Sequence, residues 1–398
     1  MPAQPKFPGD LTDGEAFWRD HSSWLLERGY QLRPRYQPGW KPSWIADNSP
    51  DRYEYEDAQE VMEAFHLMDA LRVSDGLLVM IKKVEVPDPA NPPQEFRINQ
   101  LLASGVLSID DPRNHCVPVY EILQLPETGH KYLVVMPLLR EWWHDWDDVP
   151  FATIGEALSF VRQLFEGVQS LHSRYIAHND IKHDNILVDS APLYKVLMHP
   201  VVPYQKYDWS DRASRRSITR HPVKYYFIDF DLTRQYDLQA GPARERPIYG
   251  GDTTVPEFHA RPDELRDPFA IDIYRLGNLI RRFLMSTQLV WELEEVDNLK
   301  INHAMDFMSP LVADMTQDDP VKRPNIDEVV SRFDEIVRGL SFFKLRSRFW
   351  PGFRKEGFLA RVFWIIPRHF ISQVINVIGR YPAIPPTPPA PRGKKQSP

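Results

Sequence analysis

The chain predicts an α+β fold in two unequal lobes, a small β-rich one followed by a larger helical one. Residues 65–86 and 131–139 alternate or run β-branched, the pattern of strands. Residues 151–176 instead carry Leu158, Val161, Leu164, Phe165, Val168 and Leu171 at helical spacing. With 398 residues, 42% hydrophobic and 12% aromatic, the chain can bury the core of one large two-lobed domain, or of two ordinary domains with tails.

In chain order, Thr12-Asp-Gly-Glu15 is a capping-box pattern, and Phe17, Trp18, Trp24, Leu25 and Leu26 extend it into an amphipathic helix over residues 12–30. RPRYQPGWKPSW, Arg33 to Trp44, breaks regular structure with three prolines, and its tryptophans are expected to dock on the main domain. These segments make an N-terminal extension, residues 1–55. HLMDALRV and LLVMIKKV, separated by Ser74-Asp-Gly76, read as a β-hairpin. A short helix follows in EFRINQLLASGV, then a buried strand in KYLVVMPLL, and beyond residue 150 the helical lobe.

Three further segments differ in composition. Residues 190–224 form a basic, polar insert, read as a surface loop whose RRSIT stretch is a solvated charge run. Residues 341–380 interleave eight Lys/Arg with aromatics against one acid, Glu356, which suits either a membrane interface or packing on the helical lobe. Residues 381–398 read as a Pro-rich disordered tail.

A net charge of −7 gives the whole chain no electrostatic reason to bind nucleic acid. The lone Cys116 excludes an internal disulfide, and the N-terminus lacks the apolar run of a secretory signal. The expectation is an intracellular, cytoplasmic protein without a transmembrane segment.

The chemistry concentrates in IAHNDIKHDNILVD, residues 176–189. Phosphoryl transfer to a hydroxyl needs a carboxylate to orient the nucleophile, a cation for the transferred group and ligands for a metal. Asp180 can accept the hydroxyl proton, Lys182 can sit on the γ-phosphate and Asn185 can hold Mg²⁺.

His178-Asn-Asp-Ile-Lys-His-Asp-Asn185 resembles the H-R-D-L-K-x-x-N catalytic loop of the protein kinase superfamily, and further elements occur in that family's order. Val79-Met-Ile-Lys82 resembles V-A-I-K, with Glu95 as the helix partner of Lys82. Phe227-Ile-Asp-Phe-Asp231 resembles the strand and D-F-G, making Asp229 the main Mg²⁺ ligand. Val255-Pro-Glu257 resembles A-P-E, with Arg323 as the partner of Glu257. Asp272-Ile-Tyr-Arg-Leu-Gly277 resembles the D-x-W-x-x-G helix whose aspartate ties down the catalytic loop. The resemblance covers about residues 60–340 and implies a kinase-like domain over residues 56–340 whose lobes divide near residue 139. It implies a two-lobed kinase-like fold, ATP and Mg²⁺ as cofactors, and a protein substrate phosphorylated on Ser or Thr. It further implies that Met136 guards the back of the adenine pocket and that the Leu139 amide meets adenine.

The sequence also departs from the family. No glycine lies between Arg52 and Asp75, and the positions of the glycine-rich phosphate loop fall on Glu60, Met62 and Phe65. Met80 narrows the roof of the adenine site, Asn179 replaces the loop arginine and Asp231 replaces the D-F-G glycine. A pseudokinase scaffold with little turnover is therefore a second reading. His178-Asn-Asp180 and Ile228-Asp-Phe230 also resemble choline and aminoglycoside kinases, a third.

Overall fold

The structure is a computed structural model and describes residues 11–105, 111–126, 128–143, 150–260, 264–286, 303–349, 357, 359 and 361–391. The small lobe is a five-stranded antiparallel sheet in the order β1-β2-β3-β5-β4. Its strands are β1 (Tyr30–Gln31), β2 (Leu67–Arg72), β3 (Leu77–Glu85), β4 (Glu121–Gln124) and β5 (Lys131–Pro137). β2 and β3 form the expected hairpin, with Asp69 facing Met80 and Leu67 facing Lys82.

Helix α1 (Asp13–Glu27) starts at the capping box, where the Glu15 N–H donates to Thr12 Oγ1 and the Thr12 N–H donates to Glu15 Oε2. It lays Trp18 and Leu25 over Met68, Ala70, Val79 and Ile81 on the outer face of the sheet. Trp18 is fully buried, and its indole N–H donates to the Ala64 carbonyl. Removing a buried aromatic of that size costs about 3–5 kcal/mol. Residues 1–55 had read as an extension, yet α1 and β1 belong to the lobe's core and edge.

Helix α2 (Gln94–Ala103) packs Phe96 and Ile98 under the inner face of the sheet. The large lobe is built around α3 (Ile154–His172), which buries most of its length against α7 (Ile326–Gly339) and α5 (Pro268–Phe283). Between α5 and α7 lies α6 (Ser309–Met315), and after α7 come α8 (Phe342–Arg346) and α9 (Ile366–Ile378). A three-stranded sheet, β6 (Arg140–Glu141), β8 (Ile186–Val188) and β9 (Tyr225–Phe227), and the pair β7 (Ile176–Ala177) with β10 (Arg234–Gln235) frame the cleft between the lobes. α4 (Pro256–Ala260) precedes α5.

Two segments depart from expectation because their polar groups find protein partners. In the 190–224 insert, Arg216 donates to the carbonyls of Pro192 and Tyr194, Arg215 to that of Pro150, and Thr219 is buried against the Glu156 carboxylate. RRSIT is wired into the fold rather than solvated. The Pro-rich tail, expected to be disordered, docks through residue 391. Ser159 Oγ donates to the Pro385 carbonyl at 2.8 Å, and Ala390 is buried. Gly155 is what lets the tail approach, since a Cβ there would lie 1.9 Å from the Ala383 carbonyl oxygen.

Candidate active site

The loop at residues 178–180 is held by hydrogen bonds from its backbone N–H groups to a side chain of α5. Both oxygens of the buried Asp272 accept, from the His178 N–H at 2.8 Å and the Asn179 N–H at 2.9 Å. Burial would raise the Asp272 pKa, but His172, His178 and the Asn179 amide outweigh it and hold the carboxyl below its usual range. Asn179 has φ 63°, a left-handed conformation in which asparagine is enriched, and its side-chain amide donates to the Leu232 carbonyl at 3.1 Å.

This loop presents Asp180, Lys182 and Asn185 as one cluster. Asn185 Nδ2 donates to Asp180 Oδ2 at 2.7 Å, and Lys182 Nζ lies 3.3 Å from the same oxygen. The Gly251 N–H donates to Asp180 Oδ1 at 2.7 Å. Gly250 and Gly251 are the one pair of residues that can lie so close. A Cβ on Gly250 would stand 2.3 Å from Asp180 Oδ1, and one on Gly251 would stand 2.4 Å from Lys182 Cδ. Gly250→Ala is therefore expected to displace Asp180 and lower any activity that depends on it by about 10²-fold, as a misplacement near 1 Å does. A side-by-side rate measurement on a variant with unchanged melting temperature checks this.

Across the cleft, Lys82 Nζ is in close contact with Glu95 Oε1, and it lies 3.9 Å from both Asp229 Oδ1 and Asp231 Oδ1. Burial disfavours the Lys82 charge, but these three carboxylates outweigh it and raise its pKa. Burial pushes the Glu95 carboxyl up to about 7, with Lys82 opposing and Asp231 adding to the shift. Three carboxylates around one ammonium leave surplus negative charge, which suits a divalent cation. Among the described residues, no three His, Cys, Asp or Glu side chains form a metal cluster. Asp229, Asp231 and Asn185 are the side chains that could hold such an ion, Asn185 through its carbonyl oxygen because its Nδ2 donates to Asp180. Magnesium typically binds through so few protein ligands, with substrate phosphates and water completing the shell.

The segment before α4 is fastened without a phosphate. Arg275, fully buried, donates to the Asn179 carbonyl and, at 3.1 Å, to the Ile248 carbonyl, while Asn278 Nδ2 donates to Asp252 Oδ2 at 2.7 Å. Glu257 and Arg323 form a buried bidentate pair, 2.7 Å at each contact. Sequence reading identified Asp272, Glu257 and Arg323 but missed Arg275 and the two glycines. The GG dipeptide seven residues before Glu257 was the available signal.

Met136 faces Met80 across β5 and β3, and both Met136 and Leu139 pack on the core beneath α2. Opposite Met80 on its other side is Asp69, 1% exposed, so Asp69, Met80 and Lys82 share the cleft face of the sheet. Arg33 fills the space above them. Its guanidinium is bidentate to Asp69, donates to Glu56 at 3.1 Å and to the Gln59 carbonyl at 2.9 Å, and is 2% exposed.

The insert closes on the same cluster: His199 Nε2 meets Glu56 Oε1 at 3.1 Å, and Trp209 Nε1 donates to the Glu54 carbonyl at 2.8 Å. Arg140, just past β5, donates to the carbonyls of His199 and Pro200. Residues 32–66, which link β1 to β2, thus form an ordered ionic roof. Glu60, at one of those loop positions, is paired with Arg35 at 3.3 Å and Arg52 at 3.7 Å.

The clasp is pH-sensitive. Burial raises Glu56, but the His199 hydrogen bond and the Arg33 charge outweigh it and hold its pKa low, while burial lowers His199. Both folded values lie below the unfolded ones, so this stability is present above the ordinary histidine value, near 6.5, and is lost as pH falls. Thermal melts from about pH 7 to pH 4 should fall more steeply for the wild type than for His199→Gln, whose residue 199 does not titrate and can still donate to Glu56.

Over 135 residues the chain is 33% identical to serine/threonine-protein kinase pim-2 of Danio rerio, covering 30% of this chain and 42% of that protein. Over 106 residues it is 30% identical to serine/threonine-protein kinase GRIK2 and 28% identical to GRIK1, both of Arabidopsis thaliana, covering 26% of each chain. The chain therefore spans less than half the length of these curated relatives. No family model matches it.

Proposed function

This chain is related to the protein kinase superfamily, and on that premise we propose that it is an ATP-dependent protein kinase acting on Ser or Thr hydroxyls. The observation that supports the reading is a pair of side-chain clusters of the required chemistry, linked through the backbone where the Ile228 N–H donates to the Asn185 carbonyl at 3.0 Å. Lys82 with Glu95 faces Asp229 from above, and Asp180, Lys182 and Asn185 are joined by contacts of 2.7 and 3.3 Å below. Asp180 orients the substrate hydroxyl and takes its proton. Lys182 balances charge on the transferred group, and Lys82, oriented by Glu95, grips the nucleotide phosphates. Asp229, Asp231 and Asn185 are the residues that would hold Mg²⁺, which neutralises phosphate charge when bound.

A specific observation favours the second reading, a kinase-fold scaffold with little turnover. The Arg33–Asp69 pair lies against the face that would roof the adenine, and each partner is 2% exposed. Thermal melts with ATP and Mg²⁺ separate the two. Nucleotide at about ten times its Kd contributes about 1.4 kcal/mol of stability, a rise of roughly 1–3 °C. The kinase reading expects that rise, and no rise at millimolar nucleotide supports the scaffold.

A further inference from the structure

Helix α9, entered through a turn at Arg361–Ile365, is oriented inside out. The stripe it turns to the protein is polar. His369 Nε2 meets the Arg346 carbonyl at 3.1 Å, and Gln373 Oε1 accepts from Arg346 Nη1 at 3.3 Å. Asn376 is 1% exposed, and its backbone carbonyl accepts the Tyr381 N–H at 2.9 Å. These positions recur at i, i+4 and i+7, so one helix face meets the lobe.

The outward side is apolar: Phe363, Trp364, Phe370, Ile371 and Ile378 are 58–77% exposed. A helix on a water-facing surface turns an apolar stripe of about 100° inward. Here the apolar positions from Ile366 to Ile378 spread over about 180° of the outward circumference, at 100° per residue.

Charge selects what covers this side. Residues 357–380 contain Arg361, Arg368 and Arg380 and no Asp or Glu, in a chain whose net charge is −7. A second copy seated on the same face by a two-fold axis would set this cationic helix against itself. A convex, half-round apolar arc flanked by arginines matches acyl chains beneath anionic headgroups. No helix among the described residues is long and apolar enough to cross a membrane, so the fit is to lying in the interface.

We propose that α9 docks the protein on an anionic phospholipid surface, apolar side down, with Arg361, Arg368 and Arg380 at the headgroup level. The sequence left membrane contact and packing on the lobe as alternatives for residues 341–380. The polar inner stripe and apolar outer face let α9 do both.

Flotation of the full chain with vesicles tests this. Phosphatidylcholine vesicles containing about 30% phosphatidylserine should carry the protein upward. Phosphatidylcholine alone should carry about ten-fold less, as should the anionic vesicles at high salt. Phe370→Asp with Ile371→Asp, both outward-facing, should abolish flotation while leaving the melting temperature unchanged. Failure of the wild type to float with anionic vesicles would overturn the proposal. So would equal flotation with neutral ones, or a dimer in light scattering that the same double variant dissociates, which would assign the face to a second copy.

Discussion

Arg33→Ala is expected to destabilise the protein by about 3–5 kcal/mol, because it leaves the Asp69 carboxylate buried without its partner. Asp69 is 1% exposed, and Arg33 supplies two of its contacts at 2.9 and 3.2 Å through Nε alone. The same logic predicts that Arg33→Met combined with Asp69→Leu recovers most of the loss, since two charges that attract in a dry site also both lose their hydration there. Denaturant unfolding of the two single variants and the double variant gives the coupling directly. A cost under about 1 kcal/mol for the single change would mean that Asp69 is hydrated or re-paired. The double variant also removes both charges from the cleft face, so tighter ATP binding than wild type is expected if the roof restrains the nucleotide.

Asp180→Asn is expected to lower phosphoryl transfer by about 10²–10⁴-fold, the contribution of a positioned general base. The replacement carries a local cost as well. Asp180 accepts from Gly251 N and from Asn185 Nδ2 at 2.7 Å each. An asparagine can accept at one of those positions and must offer its own amide to the other donor. That unsatisfied contact costs about 1–3 kcal/mol, so melting curves should accompany the rates. A variant that loses transfer yet still gains stability with ATP and Mg²⁺ separates loss of the base from loss of the cleft.

The residues proposed for catalysis could be picked out in the sequence because their spacing follows the chemistry they would perform. Asp180, Lys182 and Asn185 sit within one turn of chain, and Lys82, Glu95 and Asp229 each lie in a recognisable local pattern. They fall into two side-chain clusters, Lys82 with Glu95 and Asp229, and Asp180 with Lys182 and Asn185. The hairpin, α1, α2 and α3 were legible from apolar periodicity and the capping box. The roof was not, because Arg33, Asp69, Glu56 and His199 have no period in common, and His199 is 143 residues from Glu56. β1 is two residues long and carries no alternation to detect. The tail misled because a Pro-rich composition suits a free chain and a docked extended one equally; the difference lies in Gly155 and Ser159, far upstream. The basic insert misled for a related reason: arginines that donate to carbonyls look, in sequence, like arginines that face water.

The account rests on transfer of phosphate through Asp180 and Asp229. Its most direct test is incorporation of label from γ-labelled ATP, with Mg²⁺, into the protein itself and into a mixture of Ser- and Thr-containing peptides. Wild type, Asp180→Asn and Asp229→Asn should be purified in parallel. The account predicts label with wild type and at least about 10²-fold less with either variant. Equal label in all three would assign the activity to a contaminant, and no label with a folded, ATP-stabilised wild type would contradict the kinase reading itself.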